Sequence, residues 1–184
     1  MPVTFSKIRT NSQAYKGVNV AARNSPKYKY EAKCINVVDG DTIDCDIDLG
    51  FYTTSRQRIR LAGIQCPELR PRRRNRTASQ NVSERELAAL AKEFVIGLLS
   101  PATLQGVLVR GNVWLKVLKG DSFGRWIATV YMSAATTISV NDLLIREGLA
   151  VPYVRKNSVD WVEMLENYNK KEGKRRARKS NSTC

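Results

Sequence analysis

The sequence predicts a mainly β, α+β domain in which short antiparallel strands close into a small barrel and helices are inserted between them. Three observations predict it. A strictly alternating segment, TIDCDIDL, follows an Asp-Gly turn signal after a β-rich run. A third strand-like run, residues 54–64, ends at Gln65-Cys66-Pro67-Glu68. A helical stripe then interrupts the strands before they resume.

Taken in order, residues 28–38 (YKYEAKCINVV) form the first strand. Asp39-Gly40 is a two-residue hairpin signal, in which both central positions call for positive φ. In the second strand Ile43, Cys45, Ile47 and Leu49 share one face, and Asp44, Asp46 and Asp48 form the opposite, solvated face. Asp41 has the parity of the apolar face, an expensive position for an acid unless something binds it. With a loop at 39–40, Cys34 falls opposite Cys45 at a hydrogen-bonded site, where a disulfide is not favoured; both are expected as small apolar residues in a reducing compartment.

The third strand covers 54–64, and Pro67 ends it. Ser83 with Glu86 suggests a capping box opening a helix to about Leu99, with Leu87, Leu90, Ala91, Phe94 and Leu98 as its stripe. Strands are expected at about 104–110, 112–118 and 125–132, with a polar turn at 119–124. Ser139 caps a short helix stopped by Gly148, and Ser158 caps a final helix bearing Val162, Leu165 and Tyr168. That order fits a closed barrel of the oligonucleotide-binding type, with an α+β sandwich as the competing arrangement.

Charge divides the chain of 184 residues. Its formal net charge is +14, yet residues 1–30 hold six bases and no acid, RPRRRNR (70–76) holds five arginines, and KKEGKRRARK (170–179) holds seven bases and one acid. The rest of the chain is therefore slightly acidic, at about −3. The expected organisation is a basic flexible arm (1–27), a folded body (28–169) and a basic tail (170–184). Such arms suit a polyanion, above all DNA or RNA; aid to solubility or a targeting address is the plainer reading. No membrane partner is expected, since no apolar run approaches 18 residues. No secretory signal is evident either, so an intracellular or viral setting is expected, with nuclear or mitochondrial targeting as weaker alternatives. Oligomeric state is not legible.

The chain contains no histidine, which removes the commonest general base and every Ser-His or Cys-His pair. Its four cysteines have no CxxC spacing, which argues against zinc. Catalysis must then use carboxylates, arginines, a lysine or a metal. Asp41, Arg60, Glu68 and Arg125 all stand at predicted strand ends. Phosphodiester cleavage needs such a set: arginines for equatorial oxygens, a glutamate for the water and an acid for a hard divalent cation.

Four stretches then resemble the thermonuclease family, whose type member is staphylococcal nuclease. They are VVDGDTI (37–43), RIRLAGIQCPE (58–68), DSFGRWIATVY (121–131) and NDLLIREGLA (141–150), in matching order and spacing over about residues 30–155. The wording is closest to phage and prophage members. The resemblance implies a five-stranded OB-fold barrel with three helices and calcium-dependent hydrolysis of DNA and RNA. It implies that Arg60 and Arg125 bind phosphate, that Glu68 activates water, and that Asp41 and the backbone carbonyl of Cys66 hold the metal. Tyr153 matches a nucleotide-orienting tyrosine. Phe123 stands where the family has a tyrosine and can stack on a base, while Ser122 replaces a lysine.

The departure is Gln65, which stands where the family has a second metal-ligand aspartate. Glutamine offers a carbonyl oxygen but no charge, so weaker metal binding is expected, with Asp39 as one acid that could compensate. Arg70, Arg72, Arg73, Arg74 and Arg76 lie where the family has a mobile loop beside the site; with Lys174, Arg175, Arg176 and Arg178 they are the expected backbone-binding cations. The sequence thus predicts a metal-dependent nuclease. The alternatives are a nucleic-acid-binding or scaffold domain that has lost its chemistry and, more weakly, a basic structural protein.

Overall fold

The structure is a computed structural model and describes residues 29–71, 77–99, 102–104, 107–109, 112–120, 124–154 and 159–181. Strands β1 (Lys29–Asp39), β2 (Thr42–Asp48), β3 (Thr54–Leu61), β8 (Trp126–Tyr131) and β7 (Asn112–Gly120) close into a barrel in that order. Neighbours are antiparallel except β3 and β8, which run parallel. Helix α1 (Ala78–Leu99) packs on β1, helix α2 (Val140–Glu147) on β8, and helix α3 (Trp161–Asn181) against α1. The predicted five-stranded OB-fold barrel with three helices is what forms; the sandwich is excluded.

Alternation drives β2 as expected. Ile43, Cys45 and Ile47 are buried, Asp44 and Asp46 are half-buried and Asp48 is exposed. The acidic face is not simply solvated, because Arg56 and Arg58 on β3 pair across it with Asp46 and Asp44, each at 2.7 Å. These arginines are 70% and 52% exposed, so solvent screens both pairs and they contribute little. Burial of Ile43 and Ile59, at roughly 1.5–3 kcal/mol each, weighs more heavily in holding β2 on β3.

The first hairpin departs from expectation. Its turn is Gly40-Asp41, between paired Asp39 and Thr42, and Gly40 does not have positive φ. What the glycine provides is room: a Cβ there would sit 2.8 Å from Ala91 Cβ and 3.0 Å from Cys66 Sγ. Cys34 does face Cys45, but through two register shifts in β1, between Cys34 and Asn36 and between Val37 and Asp39. Both cysteines are buried free thiols.

Strand β3 ends at Leu61 rather than at 64. Ile64–Gln65 forms a separate two-residue strand, β4, paired with β9 (Val151–Pro152). The 104–110 segment is two short strands, β5 (Ala102–Leu104) and β6 (Val107–Val109), which pair with each other. Helix α1 starts five residues before the expected Ser83, because the true box is one turn and more upstream. The Gln80 N–H donates to Thr77 Oγ1, and the Thr77 N–H donates to Gln80 Oε1. The buried stripe is correspondingly rotated, to Glu84, Leu87, Ala88, Ala91, Val95 and Leu99. Ser139 caps α2 as expected, in a box with Asp142, and Gly148 closes it at φ 81°. Helix α3 is capped by Asp160, whose Oδ1 accepts from the Val162 and Glu163 N–H groups; Ser158 lies outside the described residues. The helix crosses residue 170 unbroken. Among the described residues no helix is long and apolar enough to cross a membrane.

Asn141, on the buried side of α2, fixes two strands at once. Its Nδ2 donates to the Ala62 carbonyl (2.8 Å), and its Oδ1 accepts from the Val130 N–H (3.1 Å). Asn141→Ala orphans two buried backbone groups, each worth roughly 1–3 kcal/mol, so urea denaturation should show a loss of about 2–4 kcal/mol. Gly40→Ala should cost about 1–3 kcal/mol in the same measurement, as an overpacked contact does. If positive φ were the need instead, Gly40→Asn would rescue stability relative to Gly40→Ala; with a steric cause it is worse.

Candidate active site

At one end of the barrel the β1–β2 turn, the end of β3 and the β4 segment meet around one carboxylate. Asp41 is 3% exposed. Its Oδ1 accepts from Arg60 NH1 (2.5 Å) and from the Thr42 hydroxyl (3.1 Å), and its Oδ2 accepts from the Cys66 N–H (3.0 Å). Its own carbonyl accepts from the Leu61 N–H (2.8 Å). The carboxylate is buried as its parity implies, yet its cation comes from the outward row of β3 that also carries Arg56 and Arg58. Asp41–Arg60 is thus the last rung of an Asp–Arg ladder running along β2 and β3.

Burial pushes the Asp41 carboxyl up to about 6 from its ordinary 3.8; Arg60 opposes this, and the neighbouring Asp39 reinforces it. Asp39 Oδ1 also accepts from the Asp41 N–H at 3.3 Å. Glu68 is exposed, but loss of surrounding solvent raises its carboxyl. The Asp39 charge raises it further, Arg60 lowers it, Glu84 raises it and Arg125 lowers it. Four charged groups from four chain segments are therefore close enough to act on Glu68. Arg60, Glu68 and Arg125 share one electrostatic neighbourhood, and Arg60 joins them to Asp41.

The Cys66 thiol is buried against Gly40, so only its backbone can serve a ligand. Gln65 is half-buried on β4, opposite Val151, and the same ribbon places Tyr153, whose N–H donates to the Gly63 carbonyl. Tyr153 is 58% exposed. Arg70 is exposed; Arg72, Arg73, Arg74, Arg76 and Phe123 lie outside the described residues. Lys174, Arg175, Arg176 and Arg178 are exposed on the last turns of α3, away in the chain from the carboxylate cluster. Of these, Arg175 is engaged: with Lys171 it pairs with Glu147 on α2.

One residue escaped the sequence reading. Glu84, 3% exposed on α1, accepts from the Glu68 N–H at 3.3 Å and so ties the Pro67-Glu68 backbone to the helix. An acid inside an apolar stripe was the available signal, and the misplaced start of α1 hid it.

The donor set suits a hard divalent cation: carboxylates at Asp39 and Asp41, the Gln65 amide oxygen and the Cys66 carbonyl. Among the described residues no group of three or more acids, cysteines or histidines converges closely enough to form a ready-made cage. Asp41, the most buried of these acids, is already paired with Arg60.

A closed barrel with a buried acid, two arginines and a glutamate at one end defines a nuclease-like OB-fold domain. Residues 58–181 match the family model described as staphylococcal nuclease homologue, and the chain belongs to that family, whose members are generally phosphodiester hydrolases using divalent cations. The match takes in Arg60, Gln65, Cys66, Glu68 and Arg125, while the hairpin bearing Asp39 and Asp41 precedes it. Comparison with curated proteins finds no match.

An acid with a raised folded pKa contributes stability that is full below its unfolded value and is lost as pH rises through the folded one. In chelator, the stability of the natural protein relative to Asp41→Asn should therefore fall between pH 3.8 and about 6. Denaturant midpoints and slopes for both proteins across that range give the difference; a flat difference would contradict the burial of Asp41.

Proposed function

We propose that this protein is a metal-dependent nuclease hydrolysing the phosphodiester bonds of DNA, RNA or both. The observation that carries the reading is the shared electrostatic neighbourhood of Arg60, Glu68 and Arg125 beside a buried Asp41. Glu68 has the right character for a water-activating base: at the surface, with its carboxyl raised toward neutrality. Arg60 and Arg125 bind the scissile phosphate and stabilise the charge that grows on its oxygens. Asp41, the Gln65 side chain and the Cys66 carbonyl hold a divalent cation, calcium by the family resemblance, with Asp39 adding negative charge. Bound there, the cation supplies Lewis-acid polarisation of a phosphoryl oxygen. For Arg60 to reach phosphate it exchanges Asp41 for substrate, so substrate and cation binding assist each other.

Tyr153, Phe123 and Arg70 contact the nucleotide and its flanking phosphates. The arginines at 72, 73, 74 and 76, together with Lys174, Arg176 and Arg178, raise local phosphate affinity in a salt-dependent way, while Arg175 is held by Glu147. Residues 1–27 serve as a basic arm. The 170–184 segment serves as a basic tail whose residues up to 181 continue α3.

A second reading has its own support. The Asp41–Arg60 pair satisfies a metal ligand and a phosphate ligand with each other, and Gln65 lacks the charge needed to break that pair. A domain resting in this state binds nucleic acid without cutting it.

Cleavage of a labelled oligonucleotide against calcium, magnesium or manganese concentration separates the two. For a nuclease, Glu68→Gln lowers the rate by about 10²–10⁴-fold and Arg125→Ala by about 10²–10³-fold. Gln65→Asp lowers the cation concentration at half-maximal rate. No cleavage above the Glu68→Gln background with any of the three ions, binding being intact, selects the second reading.

A further inference from the structure

The β2–β3 turn contradicts local chemistry. Gly50, Phe51 and Tyr52 are consecutive residues with φ of 79°, 51° and 59°. The turn is closed by Leu49 N–H to Thr53 O (3.0 Å) and Thr53 N–H to Gly50 O (2.9 Å). Left-handed backbone costs an L-residue with a side chain roughly 1–2 kcal/mol, and tight hairpin turns of this kind favour Asn-Gly at the centre. Here the central pair is Phe-Tyr. Neither ring packs on its own domain: Phe51 is 99% and Tyr52 109% exposed. The turn therefore holds two aromatic rings in solvent at a conformational penalty, with no return inside the monomer.

Beside this turn is a concave apolar surface. The inward side chains of β2 run past the end of the barrel, so Ile47 and Leu49, with Val117, Trp126 and Tyr30, line a groove of about 230 Å³. Leu49 and Trp126 are 48% and 43% exposed. A projection and a recess of matching chemistry thus lie side by side on one face.

We propose that this face joins two copies of the chain, each placing its Phe51-Tyr52 turn in the groove of the other. Adjacent convex and concave features satisfy what a two-fold interface requires, one patch complementary to itself. Charge points the same way. Copies carrying +14 repel, but Arg56 and Arg58, on the outward row of the same hairpin, are neutralised by Asp46 and Asp44, so the hairpin brings no unpaired positive charge to the contact. Two aromatic pairs supply roughly 600–1,000 Å² of buried surface. The groove walls they cover bring the total to roughly 800–1,200 Å², the small end of specific interfaces and suited to a weak, concentration-dependent dimer. The turn lies at the opposite end of the seven-residue β2 from Asp41, so the dimer leaves the site open. The inference is independent of the nuclease reading.

Sedimentation equilibrium of the full chain, free of nucleic acid, over about 1–300 μM tests it. The natural protein should approach twice the monomer mass as concentration rises. The double variant Phe51→Asn with Tyr52→Gly should stay monomeric and melt, when dilute, no lower than the natural protein, because those residues suit the turn. Trp126→Arg should block association from the groove side. A natural protein that remains monomeric throughout overturns the proposal, as does a double variant that still dimerises. A monomer whose affinity for single-stranded oligothymidylate drops about tenfold in the double variant also overturns it and assigns the face to nucleic acid.

Discussion

The buried carboxylate of Asp41 joins segments that the chain keeps far apart. Its side chain takes hydrogen bonds from Arg60 on β3 and from the backbone of Cys66, while its own carbonyl receives the Leu61 N–H. A charge removed from water to this degree is tolerated only with partners, and these partners are the ends of the elements that border the site. The interaction is therefore structural and chemical together. It sets where Arg60 points, it fixes the backbone that leads into Pro67 and Glu68, and it holds a negative charge where a cation would be wanted. The close approach of Gly40 to Ala91 and Cys66 lets the turn sit deep enough for this to happen.

Around that centre the positioning is done by backbone and helix rather than by the charged residues themselves. Glu84 holds the Glu68 backbone from α1. Asn141 holds the chain after β3 and the middle of β8 from α2. Arg60 and Arg125 lie on or beside those two strands, whose parallel pairing from Ile59 to Leu61 brings them alongside. A site assembled this way has its geometry set by buried hydrogen bonds, which are insensitive to salt. On the proposed function, substrate affinity would rest on exposed arginines and lysines and be strongly salt-dependent.

The parts of this architecture that were legible in the sequence are those encoded by local pattern. Alternation in TIDCDIDL gives β2, and Ser139 and Gly148 give both ends of α2. The misreadings arise where a competing signal was nearer or where the cause was tertiary. Ser83-Glu86 has the form of a capping box but lies inside α1, because Thr77-Gln80 caps the helix first. Gly40 was credited with a backbone conformation when its neighbours across the fold required its lack of a side chain. The register at the cysteines came out right only because two shifts in β1 offset a turn displaced by one residue. For the candidate site, residue types at strand ends single out Asp41, Arg60, Glu68 and Arg125, and the structure pairs Arg60 with Asp41 and brings the charges of Arg60 and Arg125 to bear on Glu68. Glu84 was signalled only as an acid inside an apolar stripe, and its role exists only once α1 lies against the Pro67-Glu68 loop.

Charge distribution shows the same division between fixed body and outlying cations, with one exception that changes its meaning. Glu147, at the end of α2, is paired with Lys171 and Arg175, and the Arg175 hydrogen bond, ahead of Lys171, holds its carboxyl below the usual range. The basic end of α3 is thereby attached to the same helix whose Asn141 locks the barrel. A cationic tail joined to the body only by its chain would sample many directions and add affinity without orientation. A helix pinned by two cations on one acid presents Lys174, Arg176 and Arg178 at a set bearing to the domain. The two tethering cations are subtracted from what phosphate can use, and what remains is a shorter but directed row of charge. The body's slight negative balance favours this attachment, since an acid such as Glu147 is what allows a basic segment to be docked at all.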